Sequence, residues 1–181
     1  MSQWREVATD GFKYALKIPQ KISQRKDISD KEALVWMEEF MILSQLLEEH
    51  LGTSFMQLPQ YFGTGRAEQL KTFVDFLPAD FDLSIELRHP SWFTEEGKQL
   101  AFEILQKKNT GFVITDALGR QDVLHQVLTN KTLFVRFVGQ LLHESDYERI
   151  DAWVNKILDW SKGGLQNVYF FPHQAEPYKY L

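Results

Sequence analysis

Residues Ile85 to Phe93 read Ile-Glu-Leu-Arg-His-Pro-Ser-Trp-Phe. Glu86 and Arg88 stand two apart, a spacing that sets both on one face of a β-strand. A carboxylate can take a proton, and a guanidinium can hold a carboxylate or phosphate through its planar fork. The run Phe81 to Arg88 alternates apolar and polar residues. Leu83, Ile85 and Leu87 point one way, and Ser84, Glu86 and Arg88 the other. His89-Pro90 ends the strand, because proline cannot donate to a sheet ladder. The flanking segments read as helices covering one side of a sheet. The polar face then lines an interior, where a Glu and an Arg must be paired or put to use.

Other strand ends carry further candidates. Lys17, Gln57, Asp116 and Arg136 lie at or near C-terminal strand ends, and His173 just past the last. In parallel α/β folds, ligands bind at that edge. Lys17 alternates with Leu16 and Ile18, Gln57 with Met56 and Leu58, and Arg136 with Val135 and Phe137, so each opposes its strand's apolar face. Glu86, Arg88, Arg136 and Asp116 are expected on one inner face. In an enzyme, Glu86 or Asp116 would be the base, with His173 or His89 as acid. Lys17, Gln57, Arg88, His89, Trp92 and Arg136 would bind the ligand, Trp92 as a pocket wall. Three cations against two carboxylates favour a small anion carrying phosphate or carboxylate, and the helix start at Ser145 offers backbone N–H groups nearby. A metal site on Glu86, Asp116 and His173 is a second reading, although nothing has His-Glu-x-x-His spacing. A non-catalytic binding or interaction protein is a third. Blander roles compete throughout, since a Glu–Arg pair often only satisfies itself. His50 and His125 read as helix-surface residues and His143 as a loop residue, while Trp36, Trp153 and Trp160 sit at helical spacing and read as core. The sequence does not say which cofactor, if any, the chain uses.

The elements that position these residues alternate strand and helix. Strands are expected over 12–18, 54–58, 81–88, 111–115, 132–138 and 167–171. The first long helix has a Ser29/Glu32 capping box and a Trp36, Phe40, Leu43, Leu47 stripe, with Gly52 as a stop. Leu70, Phe73, Val74 and Leu77 mark the next. A helix over 95–107 is capped by Thr94, and a shorter helical piece runs from Leu118 to Leu128. A Ser145/Glu148 capping box opens the last, with Ile150, Val154 and Ile157 on its buried face. Six strands alternating with helices mean βαβ units and a parallel sheet. The repeat of roughly 30 residues matches a (β/α) barrel. No Gly-x-Gly-x-x-Gly or P-loop follows a strand, and the Gly63-Thr64-Gly65 turn lacks the rest of either motif.

Composition bounds the rest. With 181 residues, 44% of them apolar, the chain reads as one globular domain over its whole length, 1–181. It has no cysteine, hence no disulfide or thiolate chemistry. No apolar run spans a bilayer and the N-terminus lacks a signal core, which fits a cytoplasmic protein without membrane contact. Net charge is −5 with no Lys/Arg cluster, which argues against a broad nucleic-acid surface.

At these residues the chain resembles the YecE-like TIM barrels, also called domain of unknown function 72. The resemblance rests on Glu86-x-Arg88-His89-Pro90-Ser91-Trp92, with weaker support from Phe12 to Pro19, Met56 to Pro59, Asp116, Phe134 to Gly139 and Val168 to Phe171. It implies strands three to eight of an eight-stranded barrel, a partial barrel without the first two β/α units, and open sheet edges that invite self-association. The family carries no assigned reaction, so the resemblance implies a fold and a pocket only. Many members have His at the position of Val138 and asparagine-rich residues in place of Pro172-His173-Gln174. His173 is the candidate replacement for that imidazole.

Overall fold

The computed structural model describes residues 2–174. Strands form where apolar alternation is strongest: β1 (Ser54–Gln57), β2 (Leu83–Glu86), β3 (Gly111–Phe112), β4 (Ile114–Ala117), β5 (Thr132–Gly139) and β6 (Asn167–Gln174). Every pair among them is parallel and the order follows the sequence, in two three-stranded sheets, β1-β2-β3 and β4-β5-β6. The order has no switch point of the dinucleotide-binding kind, and no closed barrel forms among the described residues.

Two expected strands come out differently. Phe12 to Ile18 makes only two isolated parallel bridges, Tyr14 with Leu51 and Lys17 with Phe55. Three steps on one side span four on the other, so an extra residue near Gly52 breaks the ladder as a bulge does. The strand expected at 111–115 is divided at Val113. Its first part pairs with β2 and its second with β5.

Helices α1 (Ser2–Val7), α2 (Gln20–Ser23), α3 (Lys31–Ser44), α4 (Ala67–Phe76), α5 (Glu95–Gln106) and α6 (Glu144–Lys162) fill the connections. Thr94 caps α5 as expected, accepting from Gly97 N–H. Asp30, not Ser29, caps α3, because Ser29 is tied to Asp27. His143 caps α6, two residues earlier than the Ser145 box. The α4 stripe is buried as expected, and Leu83, Ile85 and Leu87 of the third expected strand are buried too. Two helix faces differ. In α3 the buried residues are Ala33, Met37, Phe40, Met41 and Ser44, while Leu43 is exposed and Trp36 lies under Lys21 and Arg25. In α6 Trp153 is buried and Val154 exposed.

The helical piece expected over 118–128 is only partly formed, and no α-helix forms there. A 3-10 turn spans Leu118–Val123 with a kink at Arg120, and the chain then runs extended. The imidazole of His125 explains part of this, since it accepts from the Val127 N–H that a helix would use itself while its other nitrogen is bound to Val113 O of the neighbouring strand segment. A cavity of about 430 Å³ lies along this side of α6, lined by Leu118, Leu124, Ala152, Trp153 and Lys156. One apolar cluster packs β1 to β3 against α2 to α5, and a second, with Ile114, Leu133, Val135, Phe137 and Trp153, packs β4 and β5 under α6. No helix among the described residues is long and apolar enough to cross a membrane.

Candidate functional site

Strand parity carries Glu86 to the inner face, opposite the helix layer. There it is 1% exposed. Gln57 Nε2 donates to its Oε2 at 2.8 Å and Thr115 Oγ1 to its Oε1 at 3.0 Å. Arg136 Nη1 donates to both oxygens, at 2.7 and 2.8 Å. Arg88 Nε stands 3.9 Å from Oε1. One carboxylate thus draws β1, β2, β4 and β5 together and bridges the two sheets. Its lone pairs are largely filled, which suits an anchor more than a proton acceptor.

Around this anchor stand cations with capacity to spare. Lys17 Nζ donates to Gln57 Oε1 at 3.1 Å and lies 5.5 Å from the centre of the Phe55 ring. Arg136 spends only Nη1 on protein, so Nε and Nη2 have no partner among the described residues. Arg88 makes no side-chain hydrogen bond there and is one-third exposed. His173 pairs along the ladder with Val138, two residues beyond Phe171 and Arg136 and on the same face. Partial burial lowers its pKa first, the Arg136 charge lowers it further, and Glu86 opposes both. A neutral imidazole is therefore favoured beside the guanidinium.

Several expected site residues lie elsewhere. Asp116 is on the helix side, not the inner face. Its Oδ1 accepts from Arg149 Nη2 at 2.7 Å and its Oδ2 from Trp153 Nε1 at 2.8 Å, both on α6. The reason is parity: Asp116 shares a face with buried Ile114, and the inner position belongs to Thr115. The metal set of Glu86, Asp116 and His173 is therefore not assembled, and no group of three His, Asp or Glu residues able to hold a metal occurs among the described residues. Trp92 is fully buried and donates to Phe62 O at 2.7 Å, so it is core and not a pocket wall. His89 accepts from Ser91 N–H and contacts its hydroxyl, closing the turn over Pro90–Phe93. The start of α6 carries Glu144 and Asp146 and is capped by His143, so it repels an anion instead of cradling one. His50 and His125 are both buried rather than on a surface. His50 Nδ1 bonds Phe12 O, and His125 stacks on Phe112 with ring centroids 3.8 Å apart.

Sequence reasoning missed Thr115 and Arg149. Thr115 could have been found from Ile114-Thr115-Asp116, where the apolar Ile114 fixes which neighbour faces inward. Arg149 had only an i,i+3 relation to Asp146 as a signal.

A family model described as "Protein of unknown function DUF72" matches residues 1–178. The chain belongs to the DUF72 family. Among curated DUF72-like relatives, the UPF0759 protein YecE of Escherichia coli K12 is 28% identical over 193 residues, spanning 96% of this chain and 70% of that protein. Crystal structures of two family members share the fold. The Enterococcus faecalis V583 protein EF0366 superposes with TM-score 0.75 at 17% identity, covering 96% of this chain and 76% of that one. The Thermotoga maritima MSB8 protein TM1631 gives 0.70 at 21%, covering 94% and 69%.

Proposed function

We propose that this DUF72 protein binds a small anion bearing phosphate or carboxylate on its inner face, at the C-terminal ends of its strands. The reading takes residues 1–181 as one domain, an arc of about six strands from a (β/α) barrel, in a cytoplasmic setting. The observation that carries it is the Arg136 guanidinium. Glu86 fixes it in place through one amino group, and the rest of its fork is left beside Arg88 and Lys17. A guanidinium oriented by a buried carboxylate is pre-organised for bidentate anion binding. Gln57 holds Lys17 within the same group, and His173 borders it.

Binding without chemistry is favoured over a reaction, because Glu86 has its lone pairs filled and Asp116 and His89 are engaged elsewhere. His173 is the remaining group able to move a proton at this face. Titration calorimetry of the full chain with inorganic phosphate and with acetate tests the reading. We expect saturable binding that Arg136→Lys weakens about tenfold, since charge is kept but the fork is lost. No heat with either anion, or equal affinity in the variant with its fold intact, would remove the anion site.

A further inference from the structure

Below the charged layer the inner face is aromatic. Phe134 is buried, and it stacks on Phe171 with centroids 4.9 Å apart and meets Phe55 at a tilt of 37°, with centroids 5.0 Å apart. Tyr169 lies 6.2 Å from Phe134. Phe55, Tyr169 and Phe171 keep part of their surface uncovered. Phe171 pairs along the ladder with Arg136 itself, and the Lys17 ammonium sits over Phe55. A row of ring surfaces therefore adjoins a row of cations.

The charges fix how much negative charge the site favours. Lys17, Arg88 and Arg136 stand against the single carboxylate of Glu86, which leaves two positive charges uncompensated. A dianion neutralises them and a carboxylate does not. Phosphate monoesters are largely dianionic near neutral pH, since their second pKa is about 6. An aromatic ring stacked on Phe171 or Phe55 would be held by the same offset contacts that the phenylalanines make with each other.

We infer that the ligand of this face is an aromatic phosphate monoester, its phosphate on Arg136, Arg88 and Lys17 and its ring on the Phe55–Phe134–Phe171 shelf. This rests on the anion site proposed above, and it adds the charge state and the ring. The phosphate binds as a dianion and the ring excludes water from the guanidinium fork.

The test is a calorimetric series on the full chain near pH 7.5 with methyl, cyclohexyl and phenyl phosphate, and with benzoate. Phenyl phosphate is expected to bind about tenfold tighter than methyl phosphate, which corresponds to the worth of one good aromatic contact with its buried area. Cyclohexyl phosphate, of similar size but without a π face, should fall between them. Benzoate should bind weakest, for want of the second charge. In Phe171→Leu the advantage of phenyl over methyl phosphate should shrink. Equal binding of phenyl and methyl phosphate overturns the shelf and leaves the anion site standing. Benzoate binding as tightly as phenyl phosphate overturns the dianion. No binding of any phosphate removes the anion site as well. The ligand comparison needs no variant, so a poorly folding Phe171→Leu does not blunt it.

Discussion

Arg88 and Arg136 look alike in the sequence, yet the structure gives them different work. Arg136 donates twice to a buried carboxylate, whereas Arg88 only approaches it at 3.9 Å. Arg136→Lys should lower stability by about 1–3 kcal/mol, as partly broken buried pairs do. Arg88→Lys should stay within about 0.5 kcal/mol, as substitutions away from such networks do. Urea unfolding of both variants checks this, and equal losses would show that Arg88 is also an anchor. His125 supplies a second residue-scale test. Its Nδ1 accepts from Val127 N–H, so the proton sits on Nε2 and points to Val113 O. Burial lowers its pKa to about 4, with Lys98 also lowering it and the Val113 carbonyl opposing. The folded state resists protonation that the unfolded chain accepts at about 6.5. The stabilising contribution of the neutral ring is therefore full above pH 6.5 and is lost as pH falls towards 4. The loss is on the order of 3 kcal/mol by linkage. Unfolding followed from pH 7 to 4 should show this slope in the wild type and a flatter one in His125→Gln.

At the scale of elements, four of the six expected strands were legible because alternation and turn or proline stops mark them locally, whereas 12–18 makes only two bridges and 111–115 divides at Val113. The face of Glu86 followed from Leu83, Ile85 and Leu87. What was not legible depended on contacts between elements. Asp116 was expected inside because an acid at a strand end suggests a site, yet Ile114 two residues earlier already placed it outside. The helix expected over 118–128 fails because of a long-range commitment, the bond from His125 to Val113. The face of α6 was misread because its buried side is partly polar: Asp146 and Arg149 lie there with Trp153. Arg149 also lies over the Phe137 ring, 4.3 Å from its centre, and donates to Val138 O, so it pins the ends of β4 and β5 to α6. Arg149→Met would leave Asp116 and Asp146 buried without their cation. The expected cost is about 3–5 kcal/mol, the usual penalty for removing one partner of a buried network. Replacing Asp116, Asp146 and Arg149 together by apolar residues should recover much of that loss. A melting series of the single and triple variants decides it, and a single variant that melts like the wild type would show that Arg149 pins nothing.

For the whole molecule, the concern is what the two sheets leave uncovered. β6 pairs only with β5 among the described residues, and Val168 on it is exposed. Pro172 removes one donor from that edge but leaves the rest. Beside it, α6 exposes Tyr147, Ile150, Val154 and Leu158 in one stripe. The opposite side of α6 lines the cavity next to the 118–126 segment, so this stripe faces away from β4 and towards the open edge. On the outer surface, α3 and the turn after it expose Val35, Ile42, Leu43 and Leu46. Contiguous apolar surface of this kind on a small domain promotes association. The chain alone should therefore show a mass that rises with concentration in light scattering after size exclusion. The double variant Val154→Lys/Leu158→Glu should move it towards monomer without changing the far-UV spectrum, because both side chains are exposed. If the wild type stays a monodisperse monomer at every concentration and unfolds cooperatively, the open edge is not an association site, and the chain is stable on its own two apolar clusters. If the double variant leaves an oligomer unchanged, the contact lies on α3 or the bridged edge at 12–18, and Ile42→Lys becomes the discriminating change.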